Sequence, residues 1–435
     1  MNTYAEAIEF LYAQLPMFTR DGASAFHKDL DRTLAICESL GNPQHKFKSI
    51  HVGGTNGKGS SSHMLAAILD SAGYKTGLYT SPHLVDFRER IRINGEMISE
   101  AYVVDFVNRT EELFNSIKPS FFEATVGMAF EYFAEQQVDI AIIEVGLGGR
   151  LDSTNIISPE VALITNVSMD HMNLLGDTIQ EIAGEKAGII KGNTPIVISE
   201  HHRDIDGIFI EKAAKLRAPI TFATDTFSLK EEYRSADFYE LEIENKRTAD
   251  TRKYQLDLMG SYQSKNILGV LTLIDKLNQQ GRFVISQEAI AQGLSQVQSM
   301  TGFKGRWQTI SHDPLIICDT GHNEDGMKEV IKNLNSLSYD NLHFVIGAMK
   351  DKDLSHILSL LPKDAQYYYC APEMPRAMES VELKQFAADF ALLGEAYASV
   401  LHAVEAAKKA CAEHDLIFVG GSNFVVAEVL ASLKK

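Results

Sequence analysis

Ser49-Ile50-His51-Val52-Gly53-Gly54-Thr55-Asn56-Gly57-Lys58-Gly59-Ser60 is the stretch whose reading decides the fold. A short apolar run predicts a buried strand, a glycine-rich turn follows, and Ser61 to Ala72 predicts a helix. Strand, glycine loop and helix in that order form the setting of a phosphate-binding loop. Glycines let backbone N–H groups converge on phosphate oxygens with no Cβ in the way. The helix N-terminus adds a partial positive charge, and Lys58 adds a full one. The stretch departs from the strict pattern. Val52 stands where the first glycine belongs, Gly59 stands where a metal-binding Ser or Thr belongs, and Ser60 comes one place late. A tight βα turn that is merely glycine-rich is the alternative reading.

The pattern outward from the loop alternates. Lys75 to Tyr79 predicts a second strand, running into Thr80-Ser81-Pro82-His83-Leu84 at a strand's carboxyl end, where open α/β sheets hold ligands. Phe87 to Ile98 alternates around Asn94-Gly95, a hairpin signal. Further strands are expected at Asp139 to Ile143, Val161 to Thr165 and Pro195 to Ile198, with helices between them. This alternation predicts a doubly wound parallel sheet. Thr226 to Leu258 is polar and strand-like, an antiparallel excursion, and Gln263 to Leu277 is a long helix. Beyond Ser299 to Lys304 the alternation restarts with strand Leu315 to Cys318 and runs to helix Phe424 to Leu433. The expected organisation is therefore a P-loop-type α/β ATPase domain over 1–299 and a smaller α/β domain over 300–435.

The totals agree with two domains, because 435 residues exceed one ordinary core. The formal net charge of −17 opposes a nucleic-acid or anionic-membrane surface, so neither partner is expected. It does not oppose one bound nucleotide, which needs only local positive charge and a metal. Cys37, Cys318, Cys370 and Cys411 lie far apart and read as reduced thiols of a cytoplasmic protein. Met1-Asn2-Thr3-Tyr4-Ala5-Glu6 shows no basic, apolar leader, and no apolar run is long enough for a bilayer.

Single residues then offer chemistry. Glu144 ends an apolar strand beside Gly146-Leu147-Gly148-Gly149, where an acid can hold Mg²⁺ against phosphates or cap the next turn. Asp152 precedes Ser153-Thr154-Asn155 and could equally be a turn cap. His171 follows the strand Val161 to Thr165, although a lone histidine is usually a hydrogen-bonded structural group. Lys186 lies in an apolar helix stretch and either snorkels to solvent or serves as an active-site cation or modified lysine. Asp319, in Asp319-Thr320-Gly321-His322-Asn323, sits at a strand end where a carboxylate can bind ribose hydroxyls. Arg306 could reach a nucleotide phosphate. The alternatives for these last two are turn capping and solvation.

Taken in order, several segments resemble folylpolyglutamate synthase/dihydrofolate synthase, of the Mur ligase superfamily. They are His51 to Ser60, Thr80 to Leu84, Glu144 to Asn155 and Glu185-Lys186-Ala187-Gly188-Ile189-Ile190-Lys191, with Gly305-Arg306, Asp319 to Asn323 and Val345 to Asp353. The shifted Gly59-Ser60 is that family's usual form. Gly53 replaces its usual alanine, Thr320-Gly321 its usual Gly-Ala, and Glu324 its usual proline. Phe18-Thr19-Arg20-Asp21-Gly22 differs from its common folate-site sequence.

The resemblance implies a Rossmann-like glutamate ligase domain at the C-terminus and ATP-dependent ligation of L-glutamate. The acceptor is dihydropteroate or the terminal γ-carboxylate of a reduced folate, and the reaction passes through an acyl phosphate. It places ATP phosphates on Gly54, Thr55, Asn56, Gly57, Lys58, Gly59 and Ser60, and the rest of the nucleotide on Asn266, Arg306, Asp319 and His322. Ser81, Glu144 and His171 match magnesium ligands. Lys186 matches a carbamylated lysine supporting a second Mg²⁺, and Phe122 and Asp152 match pterin-side positions. Lys58, Lys186 and His171 carry the chemistry, in an expected monomer with the nucleotide between domains. A peptidoglycan Mur ligase is the nearest rival. It would add a UDP-binding domain, for which the about fifty residues before the loop are too few. A nucleotide-regulated binding protein without ligase chemistry would need no second metal or acceptor pocket.

Overall fold

The computed structural model describes residues 1–17, 29–235, 238–350 and 354–433. Phe18 to Gly22 and Asp351-Lys352-Asp353 lie outside the described residues. The chain divides into two compact units, Met1–Asp257 with Gln263–Phe303, and Leu258–Tyr262 with Lys304–Lys435. The sequence pattern led us to expect one junction. The chain instead enters the second unit early, for five residues, because Met259 packs on that unit's core and Ser261 N donates to Asn333 Oδ1 at 2.9 Å.

The first unit is built on a sheet of eight strands. They are β1 (Ser49–Gly53), β2 (Thr76–Tyr79), β3 (Ile91–Ile93), β4 (Glu96–Met97), β5 (Ile140–Glu144), β6 (Val161–Ile164), β7 (Ile196–Ile198) and β8 (Ile220–Phe222). Their order is β4-β3-β2-β5-β1-β6-β7-β8. The strands from β2 through β8 in that order pair in parallel, and β3 and β4 add an antiparallel edge. β1, β5 and β6 are buried throughout, as central strands of a parallel sheet should be, with the polar Ser49, His51 and Glu144 among their buried side chains. The loops after β1, β2, β5 and β6 therefore gather at one edge of the sheet, around the place where chain order changes direction.

Local chemistry sets the element ends. Gly57, at φ 84°, is the N-cap of the helix Lys58–Ser71, which begins earlier than the expected Ser61. Thr178 and Glu181 form a capping box that starts the helix Ile179–Lys186, which runs on into a 3₁₀ turn over Ala187–Ile189. Of the expected hairpin from Phe87 to Ile98, the part Phe87–Arg90 is a 3₁₀ turn. Only β3 and β4 pair, across Asn94 and Gly95 with φ 46° and 77°.

The polar segment forms a three-stranded antiparallel sheet of β9 (Phe227–Arg234), β10 (Tyr239–Asn245) and β11 (Thr251–Leu256), as expected. The second unit holds β12 (Gln308–His312), β13 (Leu315–Cys318), β14 (Leu342–Ile346), β15 (Gln366–Tyr369), β16 (Gly394–Ala396) and β17 (Leu416–Gly420), ordered β12-β13-β17-β14-β15-β16. All pairs there are parallel except β12 with β13. Its core gathers Phe344, Tyr367, Tyr369 and Phe418, all fully buried.

Candidate active site

The glycine loop is shaped by what it must avoid. A Cβ on Gly54 (φ 142°) would lie 1.9 Å from Thr165 Oγ1, and one on Gly57 would lie 2.3 Å from Asn266 Oδ1. The residues after β6 hold the loop. Thr165 Oγ1 donates to Asn56 O at 2.6 Å, Asn56 N donates to Asn166 Oδ1 at 2.7 Å, and Ser168 N donates to Thr55 Oγ1 at 3.1 Å. No motif singled these three out. Their one signal in the sequence is that they directly follow a buried strand. Within the same unit, the helix Gln263–Gln280 presents its first turn to the loop. Gln263 Nε2 donates to Ser60 Oγ at 3.1 Å, and Asn266 Nδ2 donates to Gln263 Oε1 at 2.8 Å.

Two lysines converge on one carbonyl. Lys58 Nζ donates to the oxygens of Gly54 (3.1 Å) and Thr55 (3.0 Å), and Lys186 Nζ donates to Gly54 O at 3.0 Å. Lys186 is buried, so the snorkelling alternative is wrong. Burial, with the Lys58 charge adding to it and Asp170 opposing, brings its pKa down to about 7. Glu144 is also buried; its Oε2 accepts from Ser81 N at 3.3 Å and lies 3.9 Å from a Cβ built on Gly59. His171, at φ 50°, caps the short helix Met172–Leu175, and its Nε2 is 3.9 Å from Asp170 Oδ1. Asp170 thus lies beside His171, and its charge favours the protonated form of Lys186, which its sequence position did not reveal.

Of the expected pterin-side residues, Phe122 lies in the first turn of the helix Phe121–Glu135 and Asp152 on the loop after β5. The Phe122 ring fills the space at Gly146, where a Cβ would come within 2.4 Å of it. Asp152 is buried, accepts from Leu147 N (2.8 Å) and Thr154 N (3.0 Å), and caps the 3₁₀ turn Ser153–Ile156. Thr154 Oγ1 donates to it as well and is 2.9 Å from His51 Nε2. The turn-cap alternative is therefore present in the structure, and burial pushes the Asp152 pKa up.

In the second unit, buried Asp319 follows β13. It accepts from Tyr262 Oη (2.6 Å), Trp307 N (2.7 Å) and Gly321 N (2.7 Å). Burial raises its pKa, and the Arg306 charge opposes the rise. His322 Nδ1 is 3.0 Å from Thr320 O, and Arg306 Nη1 donates to Gly305 O at 3.2 Å.

A second cluster of metal-ligand types lies elsewhere in this unit: His343, Cys411 and Asp415. It is a closed hydrogen-bond network. Asp415 accepts from Asn341 N, Asn341 Nδ2 and Ala412 N, and pairs with His343 Nε2 at 3.1 Å. The other imidazole nitrogen meets Tyr368 Oη at 2.9 Å. With four lone-pair sites already used, the carboxylate has none left for an ion.

Residues 52–274 match the Mur ligase middle domain, and residues 305–423 match the Mur ligase glutamate ligase domain. The dihydrofolate synthase/folylpolyglutamate synthase of Bacillus subtilis is 30% identical over 100% of both chains. The chain belongs to the folylpolyglutamate synthase/dihydrofolate synthase family of Mur ligases. Among solved structures of this family, that of Escherichia coli FolC in complex with DHPP and ADP matches with a TM-score of 0.85. It is 26% identical, and the match covers 100% of this chain and 98% of that one. A probable bifunctional folylpolyglutamate synthase/dihydropteroate synthase of Haloferax volcanii is 31% identical, and this chain spans 50% of its length. The helix begins at Lys58 and brings Ser60 to Gln263.

Proposed function

We propose that this Mur ligase joins L-glutamate to dihydropteroate and to the γ-carboxylate of reduced folates through an acyl phosphate formed at Gly54 to Ser60. It is an ATP-dependent ligase acting on folates; the names of its relatives and the ADP in the Escherichia coli structure support this. One observation carries the mechanism: Lys58 and Lys186 converge on Gly54 O while Glu144 lies against Gly59.

A carboxylate oxygen of the acceptor attacks the γ-phosphorus, and the bond to the ADP oxygen breaks. The glutamate amine then adds to the acyl carbon, and phosphate leaves with the carbon–oxygen electron pair. Phosphoryl transfer is mostly positioning and charge neutralisation. Loop N–H groups and Lys58 do both for the phosphates, and Asn266, Arg306, Asp319 and His322 hold the rest of the nucleotide. Phe122 and Asp152 shape the pterin side. Glu144 and Ser81 offer hard oxygens beside the loop, a donor set that fits Mg²⁺, with His171 as a further ligand. When bound, Mg²⁺ would neutralise phosphate charge.

Lys186, neutral in part near pH 7, is suited to carbamylation: its nitrogen lone pair adds to CO₂ and one N–H proton leaves to solvent. The resulting anion would offer oxygens to a second Mg²⁺. The free cysteines and the net charge of −17 support a cytoplasmic monomer without nucleic-acid or membrane partners.

The test is ADP release with dihydropteroate, tetrahydrofolate and a UDP-muramoyl acceptor, each with and without glutamate. Glutamate-dependent release with a pterin acceptor is expected. Release only with the UDP-linked acceptor would move the protein to peptidoglycan synthesis, and release indifferent to glutamate would overturn the ligase reading.

A further inference from the structure

Asp319 is bonded from both stretches by which the chain enters the second unit. Tyr262 closes the short stretch Leu258–Tyr262, and Trp307 stands near the start of the long one, Lys304–Lys435. Both donate to the same oxygen, Oδ2, at 2.6 and 2.7 Å. Gly321 N takes one lone pair of the other oxygen, Oδ1, at 2.7 Å. A carboxylate offers about four lone-pair sites, so Oδ2 is filled and Oδ1 keeps one. Trp307 holds φ 46°, a left-handed conformation uncommon for a large residue. The Tyr262 ring is wedged over Gly260, where a Cβ would lie 2.6 Å from ring carbon Cζ. Phenylalanine would fill that ring volume equally well, so packing does not explain the hydroxyl.

We infer that Tyr262 is a positioning residue for nucleotide recognition: its hydroxyl saturates Oδ2 of Asp319 and leaves Oδ1 as the acceptor for a ribose hydroxyl of ATP. The inference rests on the assignment of Asp319 to the nucleotide. Burial favours the neutral acid at Asp319, and Arg306 with the hydrogen-bond donors opposes it. An ionised acceptor makes the stronger bond to a hydroxyl. Loss of the phenol leaves a buried lone pair unmet and moves the carboxyl toward the neutral form, which is a poorer acceptor.

The experiment is a thermodynamic cycle. Binding of ATP, 2′-deoxyATP and 3′-deoxyATP is measured calorimetrically on the full chain and on Tyr262→Phe, without acceptor or glutamate. Removing the recognised hydroxyl should weaken wild-type binding about tenfold, the usual size of one charge-assisted bond. Tyr262→Phe should weaken ATP binding by a similar factor, and the two losses should not multiply when combined. The KM for ATP should rise while the KM values for glutamate and pterin acceptor hold. Gly260→Ala displaces the ring without deleting the hydroxyl, and should show the same non-additivity. Losses that multiply, or wild-type ATP affinity in folded Tyr262→Phe, would overturn the inference. So would an equal loss for every substrate, which marks a merely structural role. Non-additive nucleotide binding without glutamate-dependent ADP release would sink the ligase reading and leave Tyr262 standing. The reverse pattern would do the opposite.

Discussion

A buried lysine that is half neutral near pH 7 leaves a mark on stability as well as on chemistry. Lys186 titrates at about 7 when folded against 10.5 ordinarily. Between those values the unfolded chain holds a proton that the folded chain lacks, so folding weakens as pH falls from 10.5 to 7. Below the lower value the loss is complete and constant. Lys186→Met should therefore be more stable than wild type below pH 7 and converge with it toward pH 10.5, as read from urea midpoints across that range. Bicarbonate at mildly alkaline pH should stabilise wild type and leave Lys186→Met unmoved. Formate or acetate should partly restore activity to Lys186→Ala, and Lys186→Arg should stay inactive; a half-active Arg variant would rule out carbamylation. Lys58→Ala should cut ligation about a hundredfold, the usual loss for one preorganised electrostatic contact. Lys58 and Glu144 were legible because a loop pattern and a strand end mark them in one stretch of chain. The bond from Tyr262 to Asp319 was not, because the two come from distant segments that only folding brings together.

At the scale of elements, the glycine loop allows a test of fit. Gly57→Ala places a Cβ 2.3 Å from Asn266 Oδ1 at φ 84°. Nucleotide affinity should fall sharply. Adding Asn266→Ala should recover only part of it, because removing the clash leaves a left-handed strain of about 1 kcal/mol and also deletes the nucleotide contact proposed for Asn266. Isothermal titration with ADP on Gly57→Ala, Asn266→Ala and the double variant reads both; a double variant equal to Asn266→Ala alone would mean that backbone conformation costs nothing here. The loop, its strand and its helix were legible from period and glycine placement. The spacing of Ile205, Ile208, Phe209, Ala213 and Leu216, which pack on one core cluster, does mark the helix Asp206–Leu216, though our reading of the sequence named no helix there. The helix Gln287–Ser295 was less legible: two of its four buried residues are Ala289 and Gly293, which carry little hydrophobic signal.

Over the whole molecule, a net charge of −17 faces substrates that are themselves anionic. Repulsion slows their approach, and salt screens it. Raising ionic strength from roughly 10 to 150 mM should increase kcat/KM, more for a folate with several glutamates than for one with a single glutamate. A flat response would show that local positive charge at the loop governs capture. The two-unit organisation was legible from the restart of alternation near Leu315, whereas the early entry at Leu258–Tyr262 was not, since five residues carry no period. The placement of the cysteines has a practical use. Cys37, Cys318 and Cys370 are buried, whereas Cys411 is only partly so. Cys411 precedes β17, at the end of its sheet opposite the loop that carries Asp319 and His322. The native chain therefore carries its own attachment point: a maleimide dye or a spin label added under folded conditions should couple at Cys411 ahead of the others, and report on this unit with no cysteine engineered and no nucleotide-side residue disturbed.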